Sequence, residues 1–311
     1  MSTLPQALSD YLTMRRALGF KLEREGQLLA RFVDYAERLG AEHITLELAV
    51  TWATQPIGAD RSWHSARLSA VRGFAQYLST IDEQTQIPPA DVLPPGRSQR
   101  AVPYLYSDAE IAAVMAATDR IHSPLRAATY ATLIGLLAAT GMRVGEAIAL
   151  DRDDVECDMA LLTVRDSKFG KSRALPLHPT TVTALVTYAR LRNRLCPAPV
   201  TPAWFISTTG TRLIYKNVHR EFHRLTQQAG LHARSTRCRP RPHDLRHTFA
   251  VATLLGWYRD GDDVHTRLPL LSTYLGHAEP SSTYWYLAAA PELLALAAQR
   301  LQNSLDRQER P

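Results

Sequence analysis

The residues best equipped for chemistry lie between Pro242 and Tyr286. The stretch opens with His243-Asp-Leu-Arg246-His247 and closes with Leu275-Gly-His277, followed by Tyr284-Trp-Tyr286. An arginine presents a rigid fork of donors that matches a phosphate, a histidine donates or shuttles a proton near neutral pH, and a tyrosine can act as a covalent nucleophile. Together they suit phosphoryl chemistry. If Leu245 to Gly256 forms a helix, His243 and Arg246 stand at its opening on one face, within reach of one phosphate. Taken singly, each residue reads as easily as an ordinary polar histidine or a half-buried aromatic. His243 and His247 also form an HxxxH pair that could ligate zinc with His277 or Cys238, although the glutamate of HExxH is absent.

Two earlier stretches carry complementary groups. Thr140-Gly-Met-Arg143-Val-Gly-Glu146 follows a strongly apolar segment, Pro124 to Thr140, that reads as a buried helix. Arg143 then stands at a helix junction with Glu146 one turn on. The two read either as a structural ion pair or as a phosphate clamp whose placement Glu146 fixes. Farther on, Leu161 to Arg165 and Arg173 to Leu177 alternate as strands around Ser167-Lys-Phe-Gly-Lys171, a hairpin with Lys168 and Lys171 in its turn. An ammonium at such a tip is either solvated or long enough to reach a neighbouring groove.

These groups need a scaffold, and the periodicity predicts a mainly helical one. Apolar residues recur at helical spacing over residues 4–18, 25–39, 45–53 and 62–79, which makes a small all-α module. On the last of these helices Ala70, Val71, Phe74 and Leu78 are expected to face inward, with Arg67 and Arg72 outward. IPPADVLPPGRSQRAVP, residues 87–103, can neither continue a helix nor form a central strand and reads as a linker. A second domain starts near Tyr104, with a capping-box pattern at Ser107-Asp-Ala-Glu110. Besides the buried helix and the hairpin it should hold helices over 179–195, 216–229, 245–255, 268–275 and 291–302, with a polar loop at 258–266.

The 311 residues accommodate two domains, and 45% hydrophobic content suffices for packed cores. The net charge of +6 is concentrated: Arg212, Lys216, Arg220, Arg224, Arg234, Arg237, Arg239, Arg241 and Arg246 share a region whose acids are Glu221 and Asp244. Such a local excess is the usual footprint of a polyanion partner. Cys157, Cys196 and Cys238 are widely spaced without a CxxC pair, which argues against a disulfide framework or a zinc ribbon. Apolar runs stay shorter than a membrane span and the N-terminus lacks the order of a signal peptide, so a cytoplasmic protein is expected.

In the order Thr140-Gly-Met-Arg143-Val-Gly-Glu146, Lys168, His243-Asp-Leu-Arg246-His247, Leu275-Gly-His277 and Tyr286, these motifs resemble the tyrosine recombinases, or phage-type integrases. The resemblance implies a mainly α fold with a small β-sheet in the C-terminal domain. A SAM-like helical core-binding domain would occupy residues 1–86, a proline-rich linker 87–103, and a mixed α/β catalytic domain with a helical tail 104–305. It implies a site-specific recombinase that cleaves and rejoins DNA through a 3′-phosphotyrosyl intermediate and a Holliday junction. Tyr286 would be the nucleophile, Arg143, Arg246 and His277 would hold the scissile phosphate, His243 would assist proton transfer, Lys168 would be the general acid, and Glu146 would support Arg143. Motif spacing prefers Tyr286 over Tyr284 and Lys168 over Lys171. Candidate DNA contacts are Arg67, Arg72, Lys171, Arg212, Lys216, Arg220, Arg239 and Arg241. The implied partners are double-stranded DNA carrying recombination sites, three further copies of the chain in a homo-tetramer, and an accessory DNA-bending or directionality factor. No metal, ATP or other cofactor is implied. The helix at 291–302 would dock on a neighbouring subunit or on its own domain. The competing readings are type IB topoisomerase-like relaxation, a zinc protein using His243, His247 and His277, and a DNA-binding protein that has lost catalysis.

Overall fold

A computed structural model describes residues 3–55, 57–93, 101–165, 172–277, 283 and 286. The chain divides into two compact units, Met1–Arg100 and Ala101–Pro311.

The first unit is built from α1 (Leu4–Ala17), α2 (Glu23–Arg38), α3 (Leu46–Thr54) and α4 (Arg61–Leu78). Side-chain caps start two of these helices: Thr45 accepts from the Leu48 amide at 3.1 Å, and Asp60 accepts from the Ser62 amide at 2.7 Å. Leu29, Phe32, Ile44, Leu68, Val71 and Phe74 form the centre of its core, and Trp52 meets Phe32 edge-on at 5.3 Å.

The expectation that Arg67 and Arg72 point outward fails here. Arg67 is buried, with its guanidinium 3.6 Å above the Trp52 ring and Nη2 donating to the Trp52 carbonyl at 2.5 Å. Its position explains this: 67, 71, 74 and 78 form one helical stripe, and that stripe faces the core. A cation over an indole face keeps much of its attraction when desolvated. Arg72 instead secures the proline-rich stretch, donating from Nε to the Pro88 carbonyl at 2.7 Å and from Nη2 to the Pro89 carbonyl at 2.8 Å. Val92 and Leu93 pack on the same core. The first residues read as linker therefore lie against this unit, and positions 94–100 lie outside the described residues.

The second unit runs α5 (Asp108–Ala116), α6 (Pro124–Thr140), α7 (Val144–Ala149), β1 (Val155–Glu156), β2 (Leu161–Val164), β3 (Arg173–Pro176), α8 (Pro179–Leu195), α9 (Tyr215–Gln228), α10 (Asp244–Arg259) and α11 (Val264–Leu275). Ser107 and Glu110 form the anticipated capping box. The strands make one antiparallel sheet in the order β1-β2-β3, with Val164 opposite Arg173. At two residues, β1 is too short to leave a period in the sequence. The turn holding Lys168 and Lys171 lies outside the described residues, as do Tyr284 and the tail at 291–302.

The loop expected at 258–266 shrinks, because α10 runs on to Arg259 and α11 starts at Val264. Asp263 caps α11, accepting from the His265 and Thr266 amides at 3.0 and 3.3 Å. Pro269 consequently sits inside the helix instead of in its first turn. Among the described residues no helix is long and apolar enough to cross a membrane.

Helix α6 supplies the centre of the larger core, burying Leu133, Ile134, Leu136 and Leu137, and it ends at Gly141 with φ +60°. The left-handed conformation turns the chain into α7, and a Cβ at Gly141 would come within 2.5 Å of the Phe249 ring of α10. Gly141→Ala should therefore cost at least about 1 kcal/mol from backbone strain alone, more once Phe249 is displaced, and read out as a lower urea midpoint for the second unit.

Candidate active site

The structure gathers Arg143, His243, Arg246, His277 and Tyr286 around the C-terminal ends of two helices. Arg246, in the first turn of α10, is 2% exposed. Its Nη1 donates to the Gly141 carbonyl at the end of α6 (2.9 Å) and its Nη2 to the Leu275 carbonyl at the end of α11 (2.7 Å). The Tyr286 phenol lies close enough to the same guanidinium to favour its charge. Carbonyls left unpaired at a helix C-terminus carry the negative end of the helix dipole, which suits them to a buried cation. Burial, reinforced by nearby Arg143, pushes Arg246 down to about 10, so it stays charged at neutral pH.

Arg143 is the N-cap of α7. Its backbone amide donates to Glu146 Oε2 at 2.9 Å, its Nη1 donates to Glu146 Oε1 at 2.7 Å, and its Nη2 reaches the Gly276 carbonyl at 2.9 Å. Its side chain remains 29% exposed, against 8% for Glu146. Burial alone would raise the Glu146 carboxyl, but hydrogen bonds from Arg173 and from Arg143 outweigh it and hold the group below its ordinary value. Arg173, at the start of β3, donates to both Glu146 oxygens (3.1 and 2.8 Å) and, through Nε, to the Tyr274 carbonyl at 2.8 Å.

Aromatic side chains close the other side. His243 meets His247 edge-on at 4.8 Å, His247 lies 5.4 Å from Tyr286, and His277 stacks on Tyr286 at 5.9 Å with 24° between the planes. Tyr286 is 3% exposed against Leu254, Leu271 and Leu275. The Nδ1 of His277 bonds the Thr283 hydroxyl at 2.7 Å, leaving Nε2 for another partner. His243 itself is exposed at the opening of α10. Burial first, then Arg246 and Arg143, push both His243 and His277 down to about 4. Both are therefore neutral at physiological pH.

At the opening of α10, fully buried Asp244 takes a bidentate bond from Arg241 at 2.8 and 3.0 Å. Arg241, a candidate DNA contact, is thus committed to the fold, and so is Arg212, which bonds the Ile148 carbonyl at 2.8 Å and Asp151 at 2.5 Å. Lys216, Arg220 and Arg239 are exposed. Among the described residues no three His, Cys, Asp or Glu side chains come together in a way that could hold a metal ion, which leaves the zinc alternative without a ligand set there. All three cysteines are free.

Sequence reasoning missed Arg173, Thr283 and the receiving carbonyls. The glycines at 141 and 276 were a usable signal for the last of these. Each ends an apolar helix in the left-handed conformation, which presents the final carbonyls outward.

Two arginines, two neutral imidazoles and a buried phenol can bind an oxyanion and place a nucleophile beside it. The family model for the phage integrase family matches residues 105–292, and the chain belongs to that family. A chain from Sinorhizobium fredii described as a candidate integrase/recombinase, y4rB, is 43% identical over 309 residues, covering 97% of this chain and 98% of its own. Tyrosine recombinase XerC of Rhizobium meliloti is 30% identical over 222 residues, covering 70% and 64%. The Tn1549 transposon integrase in complex with transposon right end DNA matches with a TM-score of 0.65 at 17% identity, over 97% of this chain and 99% of that one. XerH recombinase bound to a palindromic difH substrate matches at 0.63 and 21%, over 97% and 86%. These two likenesses bear on the fold, which is the mainly helical recombinase fold with its small sheet. The enzyme class is that of the tyrosine-type site-specific DNA recombinases.

The depressed imidazoles set a pH dependence. In the unfolded chain both histidines take up protons as pH falls through 6.5, whereas in the folded chain they do so only near 4. The unfolded state binds more protons across that window, so stability must fall as pH drops from 6.5 towards 4. Melting temperature followed over that range should decline less steeply for the His243→Gln, His277→Gln double variant than for the wild type.

Proposed function

We propose that the chain cleaves and rejoins duplex DNA at specific sites with Tyr286 as nucleophile. The observation that carries this reading is the buried Tyr286 ring stacked on His277 beside the Arg246 guanidinium, whose charge the phenol favours, with Arg143 fixed on the same helix end. The scissile phosphate occupies the space in front of the two arginines, and their forks bind its non-bridging oxygens. As the phenol oxygen attacks phosphorus, the 3′-oxygen of the cut strand stays on phosphorus as a 3′-phosphotyrosyl linkage and the 5′-oxygen leaves. Charge building on the pentacoordinate phosphorus is met by donors already in place, which is where most of the rate gain in such sites arises.

Neutral His243 can accept the phenolic proton, because desolvation and the neighbouring arginines leave it unprotonated at the start. His277 donates a hydrogen bond from Nε2 to the phosphate while Thr283 fixes its other nitrogen. Lys168 is assigned as the acid that protonates the leaving 5′-oxygen, on its place in the sequence motif. The phosphotyrosyl bond conserves the energy of the phosphodiester, so the reverse reaction reseals DNA with neither ATP nor a metal. Exchange between two sites requires four copies acting in pairs through a Holliday junction. Exposed Lys216, Arg220 and Arg239 supply backbone contacts, and binding of this kind weakens steeply with salt.

The test uses nicked duplexes tiled across the DNA flanking the chain's own coding sequence, so that a cut strand loses its short end and cannot be resealed. Wild type should give an SDS-resistant protein–DNA adduct, Tyr286→Phe none, and Tyr284→Phe the wild-type amount. Arg246→Ala should cleave on the order of a hundredfold more slowly. An adduct that persists in Tyr286→Phe but vanishes in Tyr284→Phe would transfer the nucleophile to Tyr284.

A further inference from the structure

We infer that Arg173 is a positioning residue for the cleavage reaction: its fork takes up the charge of Glu146 and leaves the charge of Arg143 available to the scissile phosphate. The inference rests on the function proposed above and extends it to a side chain outside the motifs.

The geometry around Glu146 supports it. One carboxylate serves two guanidinium groups. Oε1 accepts from Arg143 Nη1 and Arg173 Nη1, while Oε2 accepts from the Arg143 amide and Arg173 Nη2. Both oxygens are thus doubly engaged, with no free lone pair through which the carboxylate could pivot. Without Arg173, Arg143 and Glu146 would form a closed one-to-one pair at 2.7 Å, with the cation neutralised where a phosphate must be bound. With Arg173 present, the three groups carry a net single positive charge. Arg143 is the more exposed of the two arginines, 29% against 11%. The surplus charge is therefore presented on the open side.

The anchoring of Arg173 fits this role. Its Nε is held by the Tyr274 carbonyl, one residue before the carbonyl that receives Arg246 and two before the one that receives Arg143. The three guanidiniums are indexed to consecutive peptide units, so the spacing of Arg143 from Arg246 is fixed by the same backbone that fixes Arg173. The missing side chain at Gly276 makes the space, since a Cβ there would lie 2.7 Å from Arg173 Nη1. A lysine cannot reproduce three directed bonds from one planar group.

The experiment measures single-turnover cleavage and DNA affinity for wild type, Arg173→Ala, Arg173→Lys and Tyr286→Phe on the nicked duplexes that give the adduct. A second substrate set carries a neutral methylphosphonate at the scissile linkage. Arg173→Ala should cut the ordinary duplex at least tenfold more slowly while binding it within threefold of wild type. Its defect should shrink to within threefold on the methylphosphonate, where there is less charge for Arg143 to stabilise. Arg173→Lys should remain at least fivefold slow on the ordinary duplex, and it carries the test if the alanine variant does not fold. Cleavage at the wild-type rate by Arg173→Lys and Arg173→Ala overturns the inference alone, as does an equal defect on both substrates, which marks a purely structural role. Wild type without an adduct, or an adduct that survives in Tyr286→Phe, overturns the parent reading and the inference with it.

Discussion

Three guanidinium groups converge on three successive carbonyls, those of Tyr274, Leu275 and Gly276, at the end of α11. Like charges brought this close repel, and each loses water on burial. What offsets both costs is the set of oxygens that a helix cannot bond within itself at its last turn, together with the single carboxylate of Glu146. The arrangement needs the chain to leave α11 abruptly, which Gly276 permits with φ +68°. Much of the rest of the second unit follows from this demand. Helix α6 must end beside α11, α7 must start in the adjoining turn, and β3 must deliver its first side chain across the gap.

Acidic groups at the helix starts complete the scheme. Glu146 caps the start of α7 by accepting from the Arg143 amide, and Asp244 lies in the first turn of α10 with no exposed surface, gripped by Arg241. Burial raises the Asp244 carboxyl against the opposing pull of Arg241. Each carboxylate does two things at once: it favours the positive end of a helix dipole and it orients an arginine. The imidazoles follow a different logic. Close to fixed cations and partly desolvated, His243 and His277 remain uncharged, so the site holds its positive charge in arginines.

Much of this could be read from the sequence because the reactive groups are rare residue types at fixed spacings. Arg143 with Glu146, His243 with Arg246, and His277 nine residues before Tyr286 need no tertiary information to be noticed. The helices of the first unit were equally readable from their stripes, yet the same stripe misled at Arg67, where charge suggested solvent and position dictated the core. Arg173 escaped notice because the opening residue of a short alternating strand looks like any solvated cation; only the fold brings Glu146 and the α11 carbonyls to it. The start of α11 was hidden in a polar run, since Asp263 resembles a loop residue until its side chain is seen bonding two amides. Backbone carbonyls occur at every position, so those of Gly141 and Leu275 stand out in the sequence only through the glycines that end α6 and α11.

Phe249 has no polar atom in its side chain, yet it stands between the two helix ends that grip Arg246. Its ring packs over Gly141 on one side and lies stacked on Tyr274, 5.6 Å away and 19° from parallel, on the other. It therefore acts as a spacer whose volume sets how far apart the opposing rims lie. A mutagenesis library confined to charged and hydroxylic positions would pass over this gauge, whereas exchanging one hydrocarbon for another at position 249 would change the aperture without removing any reactive group.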